Sequence, residues 1–143
     1  QDLRVFISDK IEKEFIEKAR FNRKALGGGM RQSGILASAG IVALNEMPKK
    51  IVKDHQNAST LAKGLNAISG ISIDLEKVKT NIIYFKLDHS KIDSVTLINS
   101  MLKKNIKFFE LGPNWFRLVT HAGINEEDID HVLIQFKDLF SKI

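Results

Sequence analysis

Residues 23–34 read Arg23-Lys24-Ala25-Leu26-Gly27-Gly28-Gly29-Met30-Arg31-Gln32-Ser33-Gly34, and the run of three glycines divides the chain into unlike halves. Glycine takes φ > 0 freely and lets other groups approach the backbone, so regular structure must break there. Before the break, Ile11, Phe15, Ile16 and Ala19 recur near helical spacing among glutamates and lysines, which predicts an amphipathic helix over 9–25 with Asp9 at its start. After it, residues 31–46 carry almost no charge until Glu46 and predict a buried helix. Its small residues Gly34, Ala37, Ala39, Gly40 and Ala43 allow a neighbour to come close, either inside one subunit or across a subunit interface.

Pro48 fits the first turn of a further helix to about Ile68, with Ile51, Val52, His55, Leu61, Ala62, Leu65 and Ile68 as its apolar line. His55 reads as a solvated or packed side chain. From Ser69-Gly70 the pattern becomes α/β. Strands are expected at 71–75 and 80–87, a helix at 91–104, and strands at 106–111 and 115–120 around a Gly112-Pro113-Asn114 turn. Asn125 to Asp128 cap a last helix facing the core through Ile129, Val132, Leu133, Phe136, Leu139 and Phe140. Leu3 to Ile7 is a short strand candidate. The expected fold class is α/β, a mostly antiparallel sheet covered by helices.

With 143 residues the chain can bury one core, and its net charge of +5 admits an anionic partner. The lysines alternate with acids and form no basic block with aromatics, so no nucleic-acid partner is expected. The absence of cysteine excludes disulfides and thiolate metal sites and leans towards a reducing compartment, the cytoplasm by default; no metal site is predicted. No stretch approaches the roughly twenty apolar residues of a membrane span. Asp2 and Arg4 interrupt the first apolar run, so no signal peptide is expected.

Two places could carry chemistry. A helix start preceded by glycines and flanked by Arg23, Lys24 and Arg31 suits a phosphate or carboxylate, but neither a Gly-x-Gly-x-x-Gly nor a P-loop pattern is present, and the spacing alone favours a hinge between helices. Arg117 stands among Trp115, Phe116, Leu118 and Val119. A guanidinium buried there needs an anion, whereas period-two alternation could turn it to solvent.

The segment Arg23-Lys24-x-Leu26-Gly27-Gly28-Gly29-Met30-Arg31-Gln32-x-Gly34-x-Leu36-Ala37-x-Ala39-Gly40 resembles the signature segment of the low-specificity L-threonine aldolases, pyridoxal-phosphate enzymes of the aspartate aminotransferase-like fold. Thr80-Asn81, Arg117-Leu118-Val119-Thr120-His121 and Glu126 to Asp130 continue the resemblance in order, strongest at 23–44 and 114–130. It implies that residues 1–46 end a large cofactor-binding domain, 47–68 form a linking helix and 69–143 a carboxy-terminal small domain. It implies that Arg117 holds the substrate α-carboxylate, that Arg31 and Lys24 serve the cofactor phosphate or a neighbouring subunit's active site, and that His121 supports the strand end. Ala122-Gly123-Ile124 departs from the aspartate-containing turn of the family.

No lysine here has the setting of the family's Schiff-base lysine, so the resemblance implies the carboxy-terminal part of a pyridoxal-phosphate aldolase subunit. The whole enzyme would be a homo-oligomer that cleaves L-threonine, L-allo-threonine and related amino-acid substrates to glycine and an aldehyde, the chain alone being inactive. The alternatives are a β-eliminating lyase of the same fold and a non-catalytic module that binds anions or nucleic acid.

Overall fold

The computed structural model describes residues 12–88, 90 and 92–143; the expected strand from Leu3 to Ile7 and the first residues of the expected helix at 9–25 lie outside them. The chain divides into two compact units, Gln1–Ile41 and Val42–Ile143.

In the first unit, helix α1 (Lys13–Ala25) ends as its glycines dictate. Gly27 adopts φ 77°, its N–H donates to the Lys24 carbonyl at 3.1 Å, and the Gly28 N–H donates to the Arg23 carbonyl at 2.7 Å. This pair of bonds around a left-handed residue is a Schellman closure. Arg23 and Lys24 sit in the last turn, where positive charge suits the negative end of the helix dipole. Helix α2 (Gly34–Glu46) begins only after a further turn in which Gln32 takes φ 54°. The expectation of a buried helix fails for the chain by itself: none of its residues is buried, and Ile35 is 78% and Leu36 62% exposed.

The second unit is built on helix α3 (Pro48–Asn66), with proline in its first turn. Its buried line is Asp54, Asn57, Ala58, Leu61, Ala62 and Leu65, so Ile51 and Val52 are left exposed and two polar residues outside the expected apolar line are buried. Strands β1 (Ile71–Ser72), β2 (Ile82–Leu87), β3 (Phe109–Gly112) and β4 (Trp115–Val119) form one antiparallel sheet in the order β1-β2-β4-β3. Helices α4 (Ser94–Leu102) and α5 (Glu126–Phe140) complete the unit.

Alternation sends Ile83, Phe85 and Leu87 of β2 and Phe116 and Leu118 of β4 to one face, where they meet Leu61, Leu65, Ile129 and Phe136 in the core. Phe85 stacks on Phe116 at 4.8 Å between ring centroids and takes Phe136 edge-on at 6.1 Å. Each fully buried phenylalanine contributes about 1.5–3 kcal/mol. Tyr84, Lys86, Trp115, Arg117 and Val119 alternate onto the other, open face. The expected antiparallel α/β arrangement is therefore present, with all four strands shorter than expected. Ile73 gives its N–H to Asn66 Oδ1 at 2.9 Å and the chain turns through a 3-10 helix at Leu75–Lys77, which confines β1 to Ile71–Ser72. Ile106 is drawn into the close of α4, donating to the Met101 carbonyl at 3.0 Å beside Asn105 at φ 61°, so β3 starts at Phe109.

Candidate functional site

Arg117 lies in the middle of β4 on the open face, yet it is half-buried. The register sets it between Tyr84 of β2 and Phe109 of β3, and its guanidinium carbon lies 5.4 Å from the centre of the Phe109 ring. Its Nε is buried and has no hydrogen-bond partner. No described carboxylate pairs with it: Glu110, the nearest acid in sequence on β3, stands opposite Phe116 and so belongs to the other side of the sheet. A guanidinium N–H withdrawn from water without a partner is unfavourable, and an incoming anion would offset that cost. Its planar fork matches a carboxylate.

A cleft of about 380 Å³ opens on the same face between the 3-10 turn and the side chains of Tyr84 and Trp115. Lys77 and Lys86 line it, but each already has an acid, Asp74 at 3.0 Å and Asp88 at 3.4 Å. Among the described residues, Arg117 is thus the unpaired cation of this face.

The strand end that carries Arg117 is fastened by polar side chains. Thr120 is buried; its hydroxyl donates to the Asp54 carbonyl at 2.7 Å and its N–H to the Asn81 carbonyl at 2.9 Å, while Asn81 Nδ2 returns a bond to the Thr120 carbonyl at 2.7 Å. Asn57 Nδ2 donates to the Ile124 carbonyl at 3.0 Å. His121 is exposed and closes the intervening turn, Nδ1 accepting the Gly123 N–H at 3.1 Å and its carbonyl accepting the Ile124 N–H at 2.8 Å. Next, Asn125 and Asp128 exchange two 2.9 Å bonds as a capping box on α5. Lys53 pairs with Glu126 and holds its carboxyl below the usual 4.5.

Lys24 and Arg31 are exposed in the first unit, whereas Arg117 and His121 belong to the second. Neither Lys24 nor Arg31 has an ion pair among the described residues. The helix expected from residue 31 starts at Gly34, and Gly27 and Gly28 give their N–H groups to the end of α1. Among the described residues no group of three or more His, Asp or Glu is placed to hold a metal, and no helix is long and apolar enough to cross a membrane. Asp54, Asn57 and Phe109 escaped the sequence reading. For the first two the available signal was their i, i+3 spacing in line with Ala58 and Leu61.

A family model described as beta-eliminating lyase matches residues 5–88. A probable low-specificity L-threonine aldolase 2 of Arabidopsis thaliana is 38% identical over 129 residues, covering 90% of this chain and 36% of that protein. The low specificity L-threonine aldolase of Escherichia coli strain K12 is 29% identical over 130 residues, covering 91% and 37%. The chain thus spans about a third of the length of these curated relatives. Among solved structures, the cystine C-S lyase C-DES in complex with its product cysteine persulfide superposes with a TM-score of 0.60 at 18% identity, over 74% of this chain and 28% of that one. A mutant of C-DES with glycine covalently linked to its PLP cofactor gives 0.54 over 63% and 24%; at 18% identity these two likenesses show the fold.

Proposed function

Since the chain belongs to the beta-eliminating lyase family, we propose that it forms the carboxy-terminal part of a pyridoxal-phosphate lyase that cleaves L-threonine, L-allo-threonine and related β-hydroxy-α-amino acids to glycine and an aldehyde. The observation that carries this reading is Arg117, half-buried on the open sheet face with an unpartnered Nε. The aldolases of Arabidopsis and Escherichia coli, similar along nine-tenths of the chain, support the choice of reaction.

Arg117 grips the α-carboxylate and fixes the amino acid so that the bond to be broken keeps a single orientation. The clamp of Thr120, Asn81 and Asp54 holds the strand end from which it acts, and His121 supports the turn that follows. Lys24 and Arg31, exposed and without described ion pairs, offer their charge to the cofactor phosphate or to the active site of a neighbouring subunit in a homo-oligomer. When bound, pyridoxal phosphate supplies the electron sink for cleavage between Cα and Cβ. The Schiff-base lysine is assigned to no lysine of this chain, so the 143 residues alone are expected to be inactive. The whole enzyme is assigned to the cytoplasm.

The family description and the C-S lyase fold favour one rival, β-elimination, which uses the same carboxylate grip. Product analysis separates them. A full-length subunit carrying these residues, given L-allo-threonine and pyridoxal phosphate, is expected to release glycine and acetaldehyde in equal amounts. Release of a keto acid and ammonia instead would assign it to β-elimination.

A further inference from the structure

Phe109 is 65% exposed on an edge strand, and a lone exposed phenylalanine ordinarily needs no explanation. Its placement here is less ordinary. The register puts it directly across from Arg117, its ring lies 5.4 Å from the guanidinium carbon, and the arginine beneath it is half-buried with a buried, unpartnered Nε. The shift in the β3–β4 ladder between Glu110 and Gly112 belongs to the same arrangement. With Glu110 opposite Phe116, the sheet presents to Arg117 an aromatic ring where a slip of one residue would present a carboxylate.

We propose that Phe109 is a positioning residue for Arg117: its ring holds the guanidinium in place and shields it from water, while the register keeps the neighbouring Glu110 from neutralising it. The arginine therefore stays unpaired and open to a carboxylate from outside the chain. The inference rests on the reading of Arg117 as a carboxylate site. A cation facing an aromatic ring at an exposed site gains enough to change an equilibrium about two- to fivefold. A ring also costs little ordering, because it has only two side-chain torsions to fix.

The test uses a full-length subunit carrying these residues, labelled with nitrogen-15, with the Arg117 Nε–H resonance identified by its loss in Arg117→Lys. Two quantities are read, the exchange of that proton with water and its shift on titration with sodium acetate at constant ionic strength. Phe109→Ala and Phe109→Leu should speed exchange and weaken acetate binding about two- to fivefold, while Phe109→Tyr keeps both at the wild-type level. Phe109→Glu should abolish the acetate response by pairing with the arginine. Because Phe109 lies outside the core, unchanged thermal melting is expected in all four and separates these effects from unfolding. Wild-type exchange and acetate affinity in the Ala and Leu variants would overturn the role of Phe109. Absence of any acetate shift in the wild type, with exchange still faster in Phe109→Ala, would overturn the carboxylate reading and leave the stacking intact.

Discussion

At the scale of single residues, the described part of the chain combines polar groups that are satisfied with the buried Nε of Arg117, which is not. Thr120 illustrates the first: its hydroxyl and both backbone groups are bonded, to Asp54 of α3 and to Asn81 at the start of β2. Thr120→Val removes only the hydroxyl bond, since the Asp54 carbonyl keeps its place in the α3 ladder, and should lower unfolding free energy by about 1 kcal/mol in urea titration. An unchanged midpoint would mean that the hydroxyl bond does not fasten β4. Arg117 illustrates the second: strand alternation turns it away from Phe116 and Leu118 onto the open face, as period-two spacing allowed, and its Nε is nevertheless buried without a partner. Its contact with Phe109 was not legible, because the ring reaches it through a strand register no local pattern encodes. Asp54 and Asn57 were hidden for a related reason. They are polar residues on a buried helix line, and their bonds, from the Asn57 side chain to Ile124 and from Thr120 to the Asp54 backbone carbonyl, reach partners more than sixty positions away.

At the scale of elements, helix periodicity and turn chemistry located most of the second unit. The capping box at Asn125 and the Pro48 start were visible as residue types at fixed offsets. Strand lengths were less legible, because Ile73 and Ile106 look like strand residues but spend their N–H groups on Asn66 and on the end of α4. The packing of α3 on α5 shows what periodicity leaves out. At Gly64 an added Cβ would lie 2.5 and 2.6 Å from the methyl groups of Leu133 on α5. Gly64→Ala gains about 1 kcal/mol of helix propensity but forces Leu133 to move, a strain of about 1–3 kcal/mol, so net destabilisation is expected. In a Leu133→Ala background the same change should stabilise by up to about 1 kcal/mol. Equal effects in both backgrounds, measured by denaturant titration, would show that the two residues do not touch in this way.

At the scale of the whole molecule, the uncharged helix α2 was recognisable from composition, although the chain alone leaves its apolar side chains exposed. A face of that kind fits a chain spanning about a third of its relatives' length, in which further protein would cover it. What reads as a carboxylate grip on the open sheet face has the same character, a half-site that a substrate and the rest of a subunit would complete. The central claim is that Arg117 binds the α-carboxylate of an amino acid. It is tested most directly by Arg117→Ala in a full-length subunit carrying these residues, with steady-state kinetics on L-allo-threonine and the cofactor absorption band recorded together. Loss of a charge-assisted pair worth about 1.5–3 kcal/mol should raise KM and lower kcat/KM about ten- to hundredfold, while the cofactor band stays in place. A KM and kcat/KM equal to those of the wild type would contradict it.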